Sequence, residues 1–379
     1  MRSLIVIAGA MFLCGSTAST ETYLVRPDGT GDFPTIQAAI DSAVVGDIIE
    51  LADGTFTGVG NRDIDYLGKA ITVRSQSGNP DACVLACNYE GRGFIFQSGE
   101  GSDSVVEGVT VLAGSAGCGA GMRCTASSPT ITRCIFLAGY ASQGAGVCCT
   151  DASSPEITHC VFRYGIATYW GGGILFSYSD GEVSDCLFVD NTADSDGGGI
   201  NCYTSETIAL TRCTFIRNSA TNRGGGIDAS NADASFFNCT FYANDSPYGS
   251  GITCPHTITM QNTIVAFGLQ GEGVRCGAIG EATVTCSNIF GNEGGNWTSC
   301  LEDRYGILGN ISENPLFCDP ENDDLTLAED SPCAPFTPPN EQCYLIGAWP
   351  VGCGPASVPD IAEDPIGITW GEIKARFRN

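Results

Sequence analysis

One stretch of this sequence gathers side chains that could do chemistry. Tyr164, Tyr169, Trp170 and Tyr178 stand close to Asp190, Asp194 and Asp196. Aromatic faces suit sugar rings, and paired carboxylates can hydrolyse a glycosidic bond, one as acid and one as base or nucleophile. The same residues also fit a plainer part, as loop side chains on a solvated face, since exposed aromatics need no active site. Asp28, Asp32, Asp63 and Asp65 offer oxygen ligands to calcium, but their spacing matches no calcium-loop signature. Zinc fits poorly, because no Cys-x-x-Cys occurs and the only His are His159 and His256. The expectation is of no cofactor, with calcium the one ion to test.

Composition limits the partners. The net charge is −26 and the only Lys are Lys69 and Lys374. Such a field repels nucleic acid, anionic membranes and polyuronates, and favours neutral glycans, cations or protein surfaces. Arg2, an apolar run from Leu4 to Leu13 and small residues through Thr20 read as a signal peptide over 1–18, cleaved after Ala18. Met11-Phe12-Leu13 lacks the small residue that lipidation of Cys14 would need. No later apolar run approaches the ~20 residues of a membrane helix. The expected location is secreted or at the cell surface or outer envelope.

Elements must position those side chains, and an internal repeat supplies them. One column reads Val109, Cys134, Cys160, Cys186, Cys213, Cys239, Thr263 and Ser287, in steps of 24 to 27 residues. Two residues later stand Val111, Phe136, Phe162, Phe188, Phe215, Phe241, Val265 and Ile289. Apolar residues from Val106 to Val284 stand three before the column, and Gly or Asn stands five after it, from Gly114 to Asn292. A second cassette, Gly-x-Gly-apolar, interleaves from Gly121 to Gly273. Residues two apart on a strand share a face, so Cys and Phe point inward together, and a bend must separate them from the apolar residue before. The Gly or Asn position is expected to adopt the left-handed turn. Twenty-five residues trace roughly 80 Å, which suits a three-sided coil with neighbours stacked ~4.8 Å apart. A leucine-rich horseshoe lacks its Leu consensus here, and helical repeats conflict with the Gly content and the period of two.

There are 21 Cys. Ladder Cys beside Phe are expected to be packing thiols, and Cys318, Cys333, Cys343 and Cys353 to form disulfides. Pro34 to Ala43 places Ile36, Ala39, Ile40 and Ala43 on one helical face, fit to cover the first coil.

Three segments carry a family resemblance. Val25 to Ala43 resembles the entry segment of pectin methylesterases and related β-helix proteins. Asn314-Pro-Leu-Phe-Cys-Asp-Pro, Ser331-Pro-Cys and Leu345-Ile-Gly-Ala resemble the closing segment of bacterial right-handed β-helix repeat proteins. The Gly-Gly-Gly-Ile and Cys-x-Phe-x-x-Asn motifs over 106–292 resemble the repeats of polymorphic outer-membrane proteins. The resemblance implies an all-β, single-stranded right-handed parallel β-helix of the pectin-lyase-like type over 19–313. An N-terminal capping helix, an irregular Cys-containing closing segment over 314–355 and a tail over 356–379 complete it. Trp370, Ile373 and Phe377 with Lys374, Arg376 and Arg378 make that tail either a docking helix or a sorting or anchoring element.

The resemblance brings no catalytic residue. Gln-Asp-Thr-Leu, Asp-Phe-Ile-Phe-Gly and Gly-Arg-Pro-Trp of the esterases are missing, as are Asn-Thr-Asp and Gly-His-Gly of polygalacturonases. A non-enzymatic exported β-helix, acting in adhesion, glycan contact or envelope structure, is the expected function. The alternative is a glycosidase or polysaccharide lyase on an extracellular polysaccharide.

Overall fold

The computed structural model describes residues 20–205, 207–277 and 281–353. The expected signal peptide and the 356–379 tail lie outside the described residues. Each coil runs through short strands that pair in parallel, residue above residue, with the coil before and after. Sheet 1 has eleven strands, from Thr22–Val25 to Ala282–Thr285, and sheet 2 has ten, from Gly54–Phe56 to Asn288–Phe290. Sheet 4 has nine, from Ile64–Asp65 to Val274–Cys276. The middle coils add a fourth side to the expected three: sheet 3, five strands from Ser115–Cys118 to Ser219–Ala220.

Stacked rings and missing side chains lock the coils together. Phe136, Phe162, Phe188, Phe215 and Phe241 lie nearly parallel with centroids 4.6 to 4.8 Å apart. Each ring fills the space over a glycine of the preceding coil. A Cβ on Gly121, Gly146, Gly173, Gly199 or Gly226 would come within 2.5 to 2.9 Å of the Phe ring. The second Gly of the Gly-x-Gly cassette is therefore half of the Phe ladder.

The left-handed turn sits one residue earlier than the sequence suggests. Ala113, Ala138, Tyr164, Asp190, Arg217 and Ala243 have φ between +50° and +57°, immediately before the Gly or Asn column. Gly and Asn recur for other reasons. A Cβ on Gly114 or Gly139 would strike the carbonyl oxygen of Ala120 or Ala145 at 2.0 or 2.5 Å. Asn191, Asn218 and Asn244 form an internal amide ladder: Asn191 Nδ2 donates to Asn218 Oδ1 (2.8 Å) and to the Phe162 carbonyl (2.9 Å), and Asn218 repeats the pattern onto Asn244 and Phe188. Buried amides survive because every step is bonded.

The Cys column also has a chemical reason. Arg133, His159, Asp185, Arg212 and Asn238 are left-handed (φ +51° to +54°) just before it. The thiols of Cys134, Cys160, Cys186, Cys213 and Cys239 donate to the carbonyl on the far side of that turn, at 3.2 to 3.6 Å. Thr263 and Ser287 continue the column, and their hydroxyls donate in the same way to the carbonyls of Gln261 (3.2 Å) and Thr285 (3.0 Å). From Cys134 to Ser287 the column holds a small buried donor, whereas Val109 at its start is apolar. All five thiols are buried and unpaired, and burial pushes those of Cys134, Cys186 and Cys239 well above the ordinary range.

Disulfides lie elsewhere. Cys318–Cys353 and Cys286–Cys343 anchor the closing segment, whereas Cys333, expected to be bonded, is a free buried thiol beside Asn288 Nδ2 (3.1 Å). Cys118–Cys148 and Cys276–Cys300 complete the pairs. Residues 314–353 lie along the outer face of sheet 2. Trp349 Nε1 donates to Thr214 Oγ1 (3.0 Å), and Asp323 bridges Arg163 (2.9 Å) and Arg217 (2.6 Å). The last coil packs instead on Trp297, Cys300 and Leu301. At the other end Ile36–Ser42 is helical, with Ile36, Ala39, Ile40 and Ala43 buried.

Gly199→Ala should destabilise the protein by about 1–3 kcal/mol, because its methyl must displace the Phe215 ring or the Gly226 carbonyl. Urea denaturation measures this, and an unchanged midpoint would contradict the interlock. Native protein should also leave Cys134, Cys160, Cys186, Cys213 and Cys239 unreactive toward an aromatic disulfide reagent until it unfolds. Rapid native labelling of these thiols, located by peptide mass mapping, would refute the packing.

Candidate functional site

Sheets 3 and 4 meet at a sharp corner because Gly171, Gly197, Gly224 and Gly249 take φ of +62° to +69°. These are the first Gly of each Gly-x-Gly. A Cβ on Gly197 would lie 2.3 Å from the Ile200 carbonyl oxygen, so a side chain there conflicts with the corner. Two columns of side chains face each other across it. Gln143, Trp170, Asp196, Arg223 and Tyr248 stand in register on the sheet 3 side. Cys148, Leu175, Asn201, Asp228, Thr253 and Arg275 stand in register on the outer face of sheet 4. The Cys118–Cys148 disulfide ties the two sides together near one end.

The middle of the corner is a polar cluster in which Asp196, Asn201, Asp228 and Ser230 are buried while Asn222 and Arg223 reach the surface. Arg223 lies between two carboxylates, with Nε 3.1 Å from Asp196 Oδ1 and Nη2 3.8 Å from Asp228 Oδ2. Asn222 Nδ2 donates to Asp196 (2.7 Å), Asn201 Nδ2 donates to Asp228 (3.0 Å), and the Ser230 hydroxyl bonds Asp228. Burial pushes the Asp228 carboxyl up to about 6; Asp196 adds to the rise, while Ser230 and Arg223 oppose it. Asn201 Oδ1 is buried without a hydrogen-bond partner among the described residues. Beside the cluster is a cavity of about 390 Å³, lined by Asn222, Arg223, Ser230, Tyr248, Thr253 and Arg275 among others. Arg275 stacks over the Tyr248 ring at 4.7 Å and pairs with Glu272 (2.9 Å).

Aromatic side chains border the other end. Trp170 stacks on Tyr203, with centroids 5.0 Å apart and planes 10° apart, and Tyr178 meets Tyr203 edge-on at 6.2 Å. Tyr169 adjoins Trp170 at 6.3 Å. Tyr169, Tyr178, Tyr203 and Tyr248 are exposed. Tyr203 shares the outer face with Asn201 two residues before it, which links the aromatic group to the polar cluster.

The structure divides the residues that the sequence groups. Tyr169, Trp170, Tyr178 and buried Asp196 belong to the corner, and exposed Asp194 lies two residues before Asp196, its backbone bonded to Ala167 and Thr221. Tyr164 and Asp190 do not belong to the corner. Both occupy left-handed positions between sheets 2 and 3. Asp190 pairs with Arg217 (2.9 Å), which Asp323 of the closing segment also engages, and the Arg163 guanidinium lies over the Tyr164 ring at 5.1 Å. Sequence reasoning misses Tyr203, Arg223, Asp228, Tyr248 and Arg275. The strict alternation of Ile200, Asn201, Cys202 and Tyr203 is the one signal that could have shown Asn201 and Tyr203 pointing outward.

The four candidate calcium ligands serve the local backbone. Asp28 accepts from Thr30, Asp32 from Leu24, Asp63 from Arg92, and Asp65 from Leu67 and Gln97. Among the described residues no group of three or more His, Cys, Asp or Glu could hold a metal ion. No helix among them is long and apolar enough to cross a membrane.

A family model agrees with the architecture. Residues 140–257, which contain most of the corner, match the family model described as a right-handed β-helix region. The coils are thus those of a right-handed parallel β-helix. Among solved structures, the chain is similar to a pectin methylesterase from Aspergillus niger at 13% identity and a TM-score of 0.35, over 77% of this chain and 94% of that one. No curated protein matches the sequence.

Asp228 gives the site a pH signature. Its folded pKa of about 6 lies above the ~3.9 of an unfolded Asp, so the folded protein keeps this proton to higher pH. The resulting stability is present below about pH 4 and lost as pH rises through 6. Asp228→Asn should therefore remove up to about 3 kcal/mol of that decline between pH 4 and 7. Urea titrations across this range test it, and parallel curves for the two proteins would disprove the assignment.

Proposed function

We propose that the protein is an exported, non-enzymatic β-helix that contacts a neutral polysaccharide at the corner between sheets 3 and 4. The stacked pair Trp170–Tyr203, with Tyr169 and Tyr178 beside it, is the observation that carries this reading. Rings held in fixed orientation present apolar faces to sugars at small entropic cost, and nearby amides, carboxylates and guanidinium groups meet the hydroxyls. The net charge of −26 supports a neutral ligand over a polyuronate. The apolar segment from Leu4 to Leu13 supports export to the cell surface or beyond.

Ion pairing favours binding over hydrolysis. Glycoside hydrolysis needs two available carboxyl groups. Asp190 is held by Arg217, and Asp196 by Arg223 and Asn222. Only Asp194, of the three expected candidates, is exposed.

Affinity electrophoresis of the purified protein in gels containing neutral β-glucan, xylan or polygalacturonate tests the proposal. Retardation by a neutral glycan is expected, and Trp170→Ala should weaken it about tenfold with the fold intact. Equal mobility in every gel would overturn the binding reading. Release of reducing sugar that Asp194→Ala abolishes would replace it with the enzymatic alternative.

A further inference from the structure

The corner runs parallel to the axis of the coils, and its side chains recur with the coil spacing. Trp170, Asp196, Arg223 and Tyr248 occupy the same register position on four successive coils. Three coil steps therefore separate Trp170 from Tyr248, roughly 14 Å at ~4.8 Å per coil. Trp170 carries the stacked Tyr203 at one end. Tyr248, itself exposed, carries Arg275 at the other. Between these aromatic ends stand Asp196, Asn222 and Arg223, with the cavity opening beside Tyr248.

This spacing selects among glycans. An extended β-1,4-linked pyranose chain advances roughly 5 Å per sugar, close to the ~4.8 Å coil repeat. Three sugar steps then span the two aromatic ends, with the intervening sugars over polar side chains. An α-1,4-linked glucan coils and cannot keep step with a straight row. Charge acts in the same direction: two Arg, Arg223 and Arg275, face Asp196, Asp228 and Glu272, so the row holds no excess positive charge for a uronate.

We propose that the corner binds an extended, unbranched, uncharged β-1,4-linked glycan lying along the axis of the coils, with four sugars spanning Trp170 to Tyr248. This rests on the glycan-binding reading above and specifies linkage, orientation and length. Polysaccharide length is read one coil per sugar.

Calorimetric titration of the full chain with cello-oligosaccharides of two to six units, and with maltohexaose, tests the inference. Affinity should rise steeply up to four or five units and then level, and cellohexaose should bind at least tenfold more tightly than maltohexaose. Trp170→Ala and Tyr248→Ala should each weaken cellohexaose about tenfold, whereas Tyr248→Ala should leave cellobiose, held at Trp170, unchanged. Unchanged thermal unfolding verifies that both variants are folded. Affinity that is flat from cellobiose onward, or equal for maltohexaose, would overturn the linkage and orientation while leaving glycan binding in place. Failure of every neutral polysaccharide to retard the protein would overturn both.

Discussion

Everything positioned on this rod depends on the contact between a Phe ring and the glycine of the coil beneath it. The ring must lie flat to stack at 4.6 to 4.8 Å on its neighbours. It then occupies the volume in which a Cβ of Gly121, Gly146, Gly173, Gly199 or Gly226 would stand. Sheet 2 of one coil is thereby keyed to the entry of sheet 4 in the coil before. Packing at interior density allows no slip of one residue, since a slip would turn every inward column out to solvent. The outer columns inherit this register, which is why Trp170, Asp196, Arg223 and Tyr248 stand in line.

Polar interior groups reinforce the same register. The amide oxygens of Asn191, Asn218 and Asn244 accept from the backbone N–H that follows a left-handed residue, and the thiols from Cys134 to Cys239 donate to the carbonyl that precedes one. An unanswered buried carbonyl costs on the order of 1–3 kcal/mol, so from Cys134 onward the repeated turn demands a donor repeated with it, although Val109 in the first of these coils supplies none. Replacement of Cys by Thr263 and Ser287 in later coils follows from that demand, because a hydroxyl donates at least as well. Side packing then covers what the ladders leave outside. Leu187, Val189 and Ile216 on the outer face of sheet 2 are buried, and the closing segment brings Trp349 and Leu325 to that face.

The inward columns were legible in the sequence because stacking forces one chemical class onto each position. The 25-residue step and the Cys and Phe columns follow from that constraint, and the face of Ile36, Ala39, Ile40 and Ala43 follows from the helical period. Turn geometry was less legible. Gly and Asn mark the position after the left-handed residue, and Ala138, Tyr164 or Arg217 adopts positive φ because the surrounding ladders fix the backbone. Tyr164 and Asp190 join the candidate site in the sequence for that reason: their proximity to Trp170 and Asp194 conceals the turn that points them toward the closing segment. Arg223 and Asp228 were hidden differently. They lie in the coil beyond the sequence cluster, and only stacking brings them beside Asp196.

Inside and outside consequently carry different burdens. A change in an inward column propagates to the coils above and below, whereas an outward residue answers only to its immediate neighbours. The corner departs from this freedom at one place. Asp228 is buried, and its charge is costly enough to move its pKa to about 6. Arg223 partly offsets that cost while holding Asp196 as well, so one guanidinium fixes side chains from two facing columns. Packing alone would be served as well by apolar residues of similar volume, since a buried ion pair adds little net stability. What the pair does supply is orientation: it fixes Asp196 and Arg223, in line with Trp170 and Tyr248, against Asp228 across the corner.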